Sequence, residues 1–388
     1  MNKLNVLIVG GGIGGLAAAV SLQRAGFRVT VFEQAPALAE VGAGISISPN
    51  GALAIKALGL STEFHKIARP ADYQVVRQWQ TGNALATATR GNHLMGTYGE
   101  GYYTVHRADL QSILARAVAA HDPEAIRLGR RFERFEQDAD GVTVHFADGT
   151  SARGDLLLGA DGVRSKVRSQ LFGPEEVRFT GFIAYRGLVP MDLVPKEAME
   201  PPCQVWMGER LMLNRYPVSG GKLLNFVAFA LRSGWEEEGW SIPASKAEIR
   251  EEFAGWHPHV TKIIEAAPEA NLFKWALCAR SALMRWVVGR VALLGDAAHP
   301  ILPYLGQGAV LALEDSAILG RALAAAPNIE QGLARYEAAR VGRARFVVER
   351  STAMSKVWFG DNPDSFHHET PVDEELGLFA YDPGVVPV

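Results

Sequence analysis

The glycine pattern Gly10-x-Gly12-x-x-Gly15 constrains this chain more than any other segment. It stands between an apolar run at residues 4–9, suited to a buried parallel strand, and an Ala/Leu-rich helical stretch at 13–25 that Gly26 terminates. A second apolar run at 28–32 ends at Glu33, so the three pieces compose one βαβ unit. Glycines at that turn, here Gly10, Gly12, Gly14 and Gly15, let backbone approach a diphosphate, which the start of a helix attracts electrostatically. Glu33 follows Gly15 by 18 residues. That is close to the spacing of about 20 at which an acid reaches a ribose hydroxyl, and Gln34 is its neighbouring candidate. A plain glycine-rich turn with a surface Glu is the weaker reading, because the strand and helix that the motif needs are both present. The expectation is a bound dinucleotide.

Two later motifs extend this. Gly159-Ala160-Asp161-Gly162 follows the apolar run at 156–158, and Gly295-Asp296-Ala297-Ala298-His299-Pro300 follows another at 291–294. The long interval between them means that one domain is completed by sequence far from its start. Pro303 and Gly306-Gln307-Gly308 come next, before a helical stretch at 307–323. The positive end of that helix would favour negative charge in front of it.

In this order the motifs resemble the FAD-dependent aromatic-ring monooxygenases, the single-component flavoprotein hydroxylases. Residues 4–323 are most similar to the salicylate, 3-hydroxybenzoate and 6-hydroxynicotinate hydroxylase subgroup, and the ending Leu378-Phe379-Ala380-Tyr381-Asp382 is similar to tails there. The resemblance implies FAD as cofactor, NADH or NADPH as a transient co-substrate, and O2. It also implies hydroxylation of a small aromatic or heteroaromatic substrate, a hydroxy-carboxylic acid, through a flavin C4a-hydroperoxide. It places Asp161 near the FAD pyrophosphate, Asp296 on the ribityl chain and Arg107, in Val105-His106-Arg107, against the cofactor. It makes Gly42-Ala43-Gly44-Ile45 a mobile-flavin loop and gives His299 a structural role. Two alternatives stay open: a flavin oxidase or dehydrogenase of the same fold, and a non-catalytic FAD-binding protein.

The fold class expected is α/β, with a Rossmann-like FAD-binding domain of the GR2 type completed discontinuously, an inserted sheet-based substrate domain and C-terminal helices. The expected division gives the FAD domain residues 1–75, 105–175 and 281–358, the last including the C-terminal helices. The substrate domain takes 76–104 and 176–280, and 359–388 form a tail. Helices are expected at 52–58, 109–120 (capped by Asp109) and 329–358, a β-meander at 132–146, and short substrate-domain strands at 183–189, 204–207, 211–216 and 224–231. Arg340, Arg343, Arg345 and Arg350 read as a solvated helix face. The apolar stretch at 376–381 suggests docking onto the body or onto a partner.

Composition narrows the partners. The 388 residues are 48% hydrophobic and 21% charged with net charge −3, which gives no footprint for nucleic acid. Cys203 and Cys278 are the only cysteines, too few for a disulfide framework. The N-terminal run lacks a cleavage pattern and no segment approaches the roughly 20 apolar residues that span a bilayer, so a cytoplasmic location is expected. No metal site is expected, since His257 and His259 around Pro258 read as loop residues without carboxylate support. A homodimer is left open.

The acceptor site is read from the strand at 211–216. A histidine found there in several relatives is replaced by Met212-Leu213-Asn214-Arg215. Arg215 has the fork for a substrate carboxylate, with Arg186 a similar candidate. Tyr216 is the other catalytic candidate on this strand. Because strand neighbours face opposite sides, at most one of Arg215 and Tyr216 lines the pocket. The Pro303 carbonyl is a candidate contact for a substrate hydroxyl, and Trp206 lies on a candidate pocket strand.

Overall fold

A computed structural model describes residues 4–38, 43–175, 178–232, 234, 242–366 and 372–388. Its nucleotide fold is built on a six-stranded sheet in the order Val287–Val288, Val291–Leu293, Leu156–Gly159, Asn5–Val9, Arg28–Phe32, Ile126–Arg127. All neighbours are parallel except the first pair. Asn5–Val9 is therefore central, flanked by a strand 150 residues later and one immediately after it. Burial on both faces explains why these strands read as unbroken apolar runs and not as alternation. The helix Ile13–Arg24 packs between this sheet and the helix Gly308–Ala324, with Leu16, Ala17, Ala18 and Ala19 fully buried.

The second unit is an eight-stranded sheet. Its order is Ile242–Pro243, Leu272–Ala279, Arg178–Pro190, Leu223–Leu231, Leu211–Val218, Cys203–Gly208, Tyr73–Gln78, Ala84–Thr89. It is antiparallel except where Cys203–Gly208 runs parallel to Tyr73–Gln78. The six-segment domain scheme remains a proposal; its 75/76 boundary crosses the strand Tyr73–Gln78. A small sheet, Gly44–Ile47 with Tyr103–His106 and Arg69–Pro70, joins the two units, and a three-stranded meander spans Phe132–Gln137, Val142–Phe146 and Ser151–Gly154.

Several local expectations change. Gly44–Ile47 is a strand although its glycines suggested a loop, and Gly42 lies outside the described residues. The next helix begins at Pro49, whose fixed φ suits a first helical position. His106, not Asp109, is the N-cap of the helix Arg107–His121; Asp109 sits in its first turn and accepts a hydrogen bond from Ser219. The expected helix over 329–358 divides into Ile329–Ala353 and Ser355–Trp358. His257 caps the helix Pro258–Ala266, so His257 and His259 belong to a helix start and not to a loop. The apolar tail docks on the body: Leu378 and Phe379 are buried, with Phe379 against Tyr98 and Tyr102.

The largest correction concerns the basic helix face. Arg345 and Arg350 are exposed, but Arg340 is completely buried and pairs with Glu314 at 2.8 Å and Asp315 at 2.7 Å. Arg343 reaches Glu314 at 3.1 Å and stacks over Tyr381 of the tail at 4.5 Å. The same Asp315 accepts from the Gly295 backbone N–H at 3.0 Å and contacts His299 Nε2 at 2.6 Å. Burial would raise its pKa, but His299 and Arg340 overcome that and hold the carboxyl at about 2. No described helix is long and apolar enough to cross a membrane.

Asp315→Asn leaves Arg340 buried with one partner fewer and should cost about 3–5 kcal/mol of unfolding free energy, measured by urea denaturation at neutral pH. Because the folded value lies below the ordinary carboxylate value of 3.8, the Asp315 contribution is present above that pH and lost as pH falls toward about 2. The variant should show a shallower acid limb over that window.

Candidate active site

The tight turn after the first strand is set by glycines that admit no side chain. Gly10 has φ +112°, and a Cβ there would stand 2.2 Å from the Ala160 carbonyl oxygen. A Cβ on Gly15 would meet the Gly10 carbonyl oxygen at 1.9 Å. Gly12 is the N-cap of the helix Ile13–Arg24 and offers no side-chain cap, so the first helical N–H groups keep no side-chain partner. Glu33 closes the turn from below: its carboxylate accepts from Gly11 N at 2.7 Å and from Ala35 N at 2.8 Å.

In front of this turn lies a cavity of about 720 Å³ that runs from the nucleotide fold to the face of the eight-stranded sheet. Gly12, Gly14, Gly44, Ile45, Arg107, Tyr216, Gly295, Asp296, Pro303, Gly306 and Gly308 all line it, so most of the expected site residues converge on one space. Gly306 has φ +64°, which places the Pro303–Leu305 turn directly ahead of the helix Gly308–Ala324. Gly44 N donates to the buried Asn225 Oδ1 at 2.7 Å, and a Cβ on Gly44 would strike both Tyr216 and Asn225. That contact seats the Gly44–Ile47 strand on the eight-stranded sheet.

The charge in the cavity is lopsided. Among its lining residues Arg90, Arg107 and Arg186 face one carboxylate, Asp296. Asp296 is exposed only to the cavity. Enclosure by protein raises its pKa, opposed by His299 and Arg107 and reinforced by Asp315. Burial shifts Arg107 down, with Asp296 opposing the shift and Arg186 adding to it. Arg186 lies over the rings of Phe273 at 5.4 Å and Trp275 at 5.5 Å, and Arg90 over Tyr102 at 4.1 Å. Two helix starts open on the same space, so an anionic ligand is favoured throughout.

Strand alternation decides between the two candidates on Leu211–Val218. Met212, Asn214 and Tyr216 line the cavity. Arg215 points to the other face, where its guanidinium is held by the Ala198 carbonyl and by the Pro202 carbonyl at 3.3 Å, and burial pushes it down to about 9. Arg215 therefore does not reach the site. Trp206 also belongs to the far face, stacked on His257 at 5.1 Å.

Other expected residues support the site without lining it. Asp161 turns its carboxylate onto Ser165, Lys166 N and Val167 N and so caps the helix Lys166–Phe172. Gln34 is exposed beside Glu33. Gln307 is buried beneath the cavity floor, bonded to Asn50 at 3.1 Å and Ser48 at 3.0 Å. The lining also contains residues that no motif marks: Arg90, Tyr102, Asn214, Trp275, Trp358 and Phe366. Asn225 had a signal available, a lone amide in an otherwise apolar strand.

The cradle fits FAD. Glycines whose Cβ atoms would clash hold the turn and the Gly44 strand, bare helix N–H groups open on a cationic cavity, and Asp296 stands within it. Comparison with known proteins agrees. The FAD binding domain family matches residues 3–351. The 3-amino-4-hydroxybenzoate 2-monooxygenase PtmB3 of Streptomyces platensis is 40% identical over 352 residues, covering 90% of this chain and 87% of that one. The 6-hydroxynicotinate 3-monooxygenase of Bordetella bronchiseptica is 36% identical over 365 residues, 93% of this chain and 94% of the relative. The structure of Klebsiella pneumoniae HpxO complexed with FAD and uric acid superposes with a TM-score of 0.87 at 29% identity, covering 98% of this chain and 96% of that one. The chain thus belongs to the FAD binding domain family and is one of its FAD-dependent aromatic monooxygenases.

Proposed function

We propose that this protein uses NADH or NADPH and O2 to hydroxylate a small aromatic or heteroaromatic hydroxy-carboxylic acid. One observation carries the reading: a single cavity joins the glycine turn and Asp296 to a sheet face that combines aromatic walls with Arg90 and Arg186. When bound, FAD supplies reduction by the nicotinamide co-substrate and activation of oxygen for transfer to the ring. The chain's own residues do the rest. Gly12 and Gly14 with the first turn of the helix Ile13–Arg24 would hold the diphosphate, Glu33 a ribose, and Asp296 the ribityl chain, with Arg107 alongside.

At the acceptor end Val76, Ala86, Val205, Met212, Val227 and Phe229 provide an apolar floor that excludes water. Arg186, set over the rings of Phe273 and Trp275, is the cation placed to receive a carboxylate after Arg215 is removed from the site. Burial pushes the Tyr216 hydroxyl far above its ordinary value, with Tyr102 adding to the shift. Tyr216 therefore stays protonated at neutral pH and serves as a donor to the bound ring, not as a base. The Pro303 carbonyl is the complementary acceptor for a ring hydroxyl.

Purified flavin-containing protein should oxidise NADH or NADPH faster with salicylate, a hydroxybenzoate or 6-hydroxynicotinate, giving a product heavier by one oxygen, or by one oxygen less a lost carboxyl, in mass spectrometry. No stimulation by any acid, with FAD firmly bound, would contradict the reading. Arg186→Met should raise KM for a carboxylated acceptor about 10- to 100-fold, the worth of a charge-assisted hydrogen bond, and change KM for a phenol lacking the carboxylate much less.

A further inference from the structure

Along Leu223–Leu231 the side chains at 225, 227 and 229 share the face that meets the nucleotide fold. Val227 and Phe229 line the cavity. Asn225, the one polar residue in this strand, is covered instead by Gly44, whose backbone N–H donates to Asn225 Oδ1 at 2.7 Å. The Asn225 Nδ2 is buried with no hydrogen-bond partner among the described residues. An amide in an apolar strand, with its donor half unused, is there for its acceptor. Asn225 thus stands where the acceptor face ends and the cofactor-facing edge begins.

Gly44–Ile47 is an edge strand of its small sheet, paired with Tyr103–His106. In an antiparallel pair, alternate residues turn their backbone N–H away from the partner. With Gly44 N turned to Asn225, Ser46 presents the next outward N–H along the same edge, and Ser46 lines the cavity. Two constraints fix the register of that edge. A Cβ at position 44 would stand 2.6 Å from the Tyr216 ring and 2.7 Å from Asn225 Cγ, which excludes a one-residue slip that brings Ala43 or Ile45 there. The bond to Asn225 fixes it by direction. Tyr216, opposite Asn225 in the sheet register, both lines the cavity and packs on Gly44. Thr104, opposite Ser46, donates to the Pro217 carbonyl at 2.7 Å and ties the neighbouring strand to the same large sheet.

We infer that Asn225 is a positioning residue for the hydroxylation. It holds the Gly44–Ile47 edge, against which the flavin would lie, at a fixed distance from the face that carries Met212, Tyr216 and Phe229. A displacement of about 1 Å between reacting groups can cost on the order of 100-fold in rate. The glycine turn and Asp296 still hold the other parts of the cofactor. Asn225 therefore sets the yield of hydroxylated product per reduced nicotinamide consumed, and leaves affinity for FAD and for the acceptor nearly unchanged. Each reduced nicotinamide not used in hydroxylation reduces one dioxygen to hydrogen peroxide. This rests on the reading of the cavity as the place where flavin and an aromatic acceptor meet.

The test compares the FAD-containing wild type with Asn225→Leu, Asn225→Asp and Gly44→Ala, using the aromatic acceptor that most stimulates nicotinamide oxidation in the wild type. Asn225→Leu keeps the shape and leaves the Gly44 N–H without its acceptor. Its yield of hydroxylated product per nicotinamide should fall at least about threefold, with hydrogen peroxide making up the difference, while the FAD dissociation constant and the acceptor KM change less than about threefold. The flavin absorbance spectrum of the oxidised enzyme with acceptor bound, read without turnover, should differ from that of the wild type. Asn225→Asp retains the acceptor oxygen and gives up the unpartnered donor, so it should keep the wild-type yield. Gly44→Ala displaces the same edge from the other side and should lower the yield as Asn225→Leu does. Flavin content and melting temperature report folding, and Gly44→Ala carries the test if Asn225→Leu does not fold. A wild-type yield in either of these two folded variants overturns the inference, as does an equal loss of yield in Asn225→Asp and Asn225→Leu. If the wild type gives no hydroxylated product with any aromatic acceptor, the reading of the cavity falls and the inference falls with it.

Discussion

The buried carboxylate of Asp315 is the point on which the rest of the molecule depends. It lies on the helix Gly308–Ala324, yet its partners belong to two other places: Gly295 and His299 on one turn, and Arg340 on the helix Ile329–Ala353. A strand that joins its sheet from 130 residues away in sequence has no local connection to hold its following loop. Asp315 supplies that connection by fastening both ends of the Gly295–His299 turn. Asp296 is thereby presented to the cavity, and Arg340 balances the charge that burial would otherwise make very unfavourable. His299, which a motif reading could mistake for a base, is committed to this bond.

A second junction brings the two units together. Gly44 N bonded to Asn225 Oδ1, with Tyr216 packed against the same glycine, puts the nucleotide fold in contact with the sheet face. The cavity forms where that contact leaves off. Its chemistry follows from the joint: backbone N–H groups and glycines on one side, aromatic rings and arginines on the other. Neither unit alone could present a flavin and an aromatic ring to each other.

The nucleotide half was legible because its chemistry is carried by backbone, and backbone demands glycine at fixed spacing. Gly10, Gly12, Gly15, Gly295 and Gly306 are readable for that reason, as are the unbroken apolar strands around them. The acceptor half was only partly legible. Alternation showed that Arg215 and Tyr216 must diverge, but the face each takes depends on which side of the sheet meets the nucleotide fold, and that is tertiary information. Asp161 has the right neighbours in sequence, yet its carboxylate caps a helix. Arg340 looked solvated because its partners, Glu314 and Asp315, lie on a different helix. Trp358 and Phe366 stand in no motif and enter the site only through the way the tail of the chain folds back.

The most direct test of the account is turnover under isotopically heavy dioxygen with an acceptor that stimulates reduced-nicotinamide oxidation. A single cavity that holds flavin and ring together while excluding water predicts a hydroxylated product carrying one heavy oxygen atom, with close to one reduced nicotinamide consumed for each product formed. A product whose new oxygen comes from water, or hydrogen peroxide as the sole oxygen product for every acceptor tried, would contradict it.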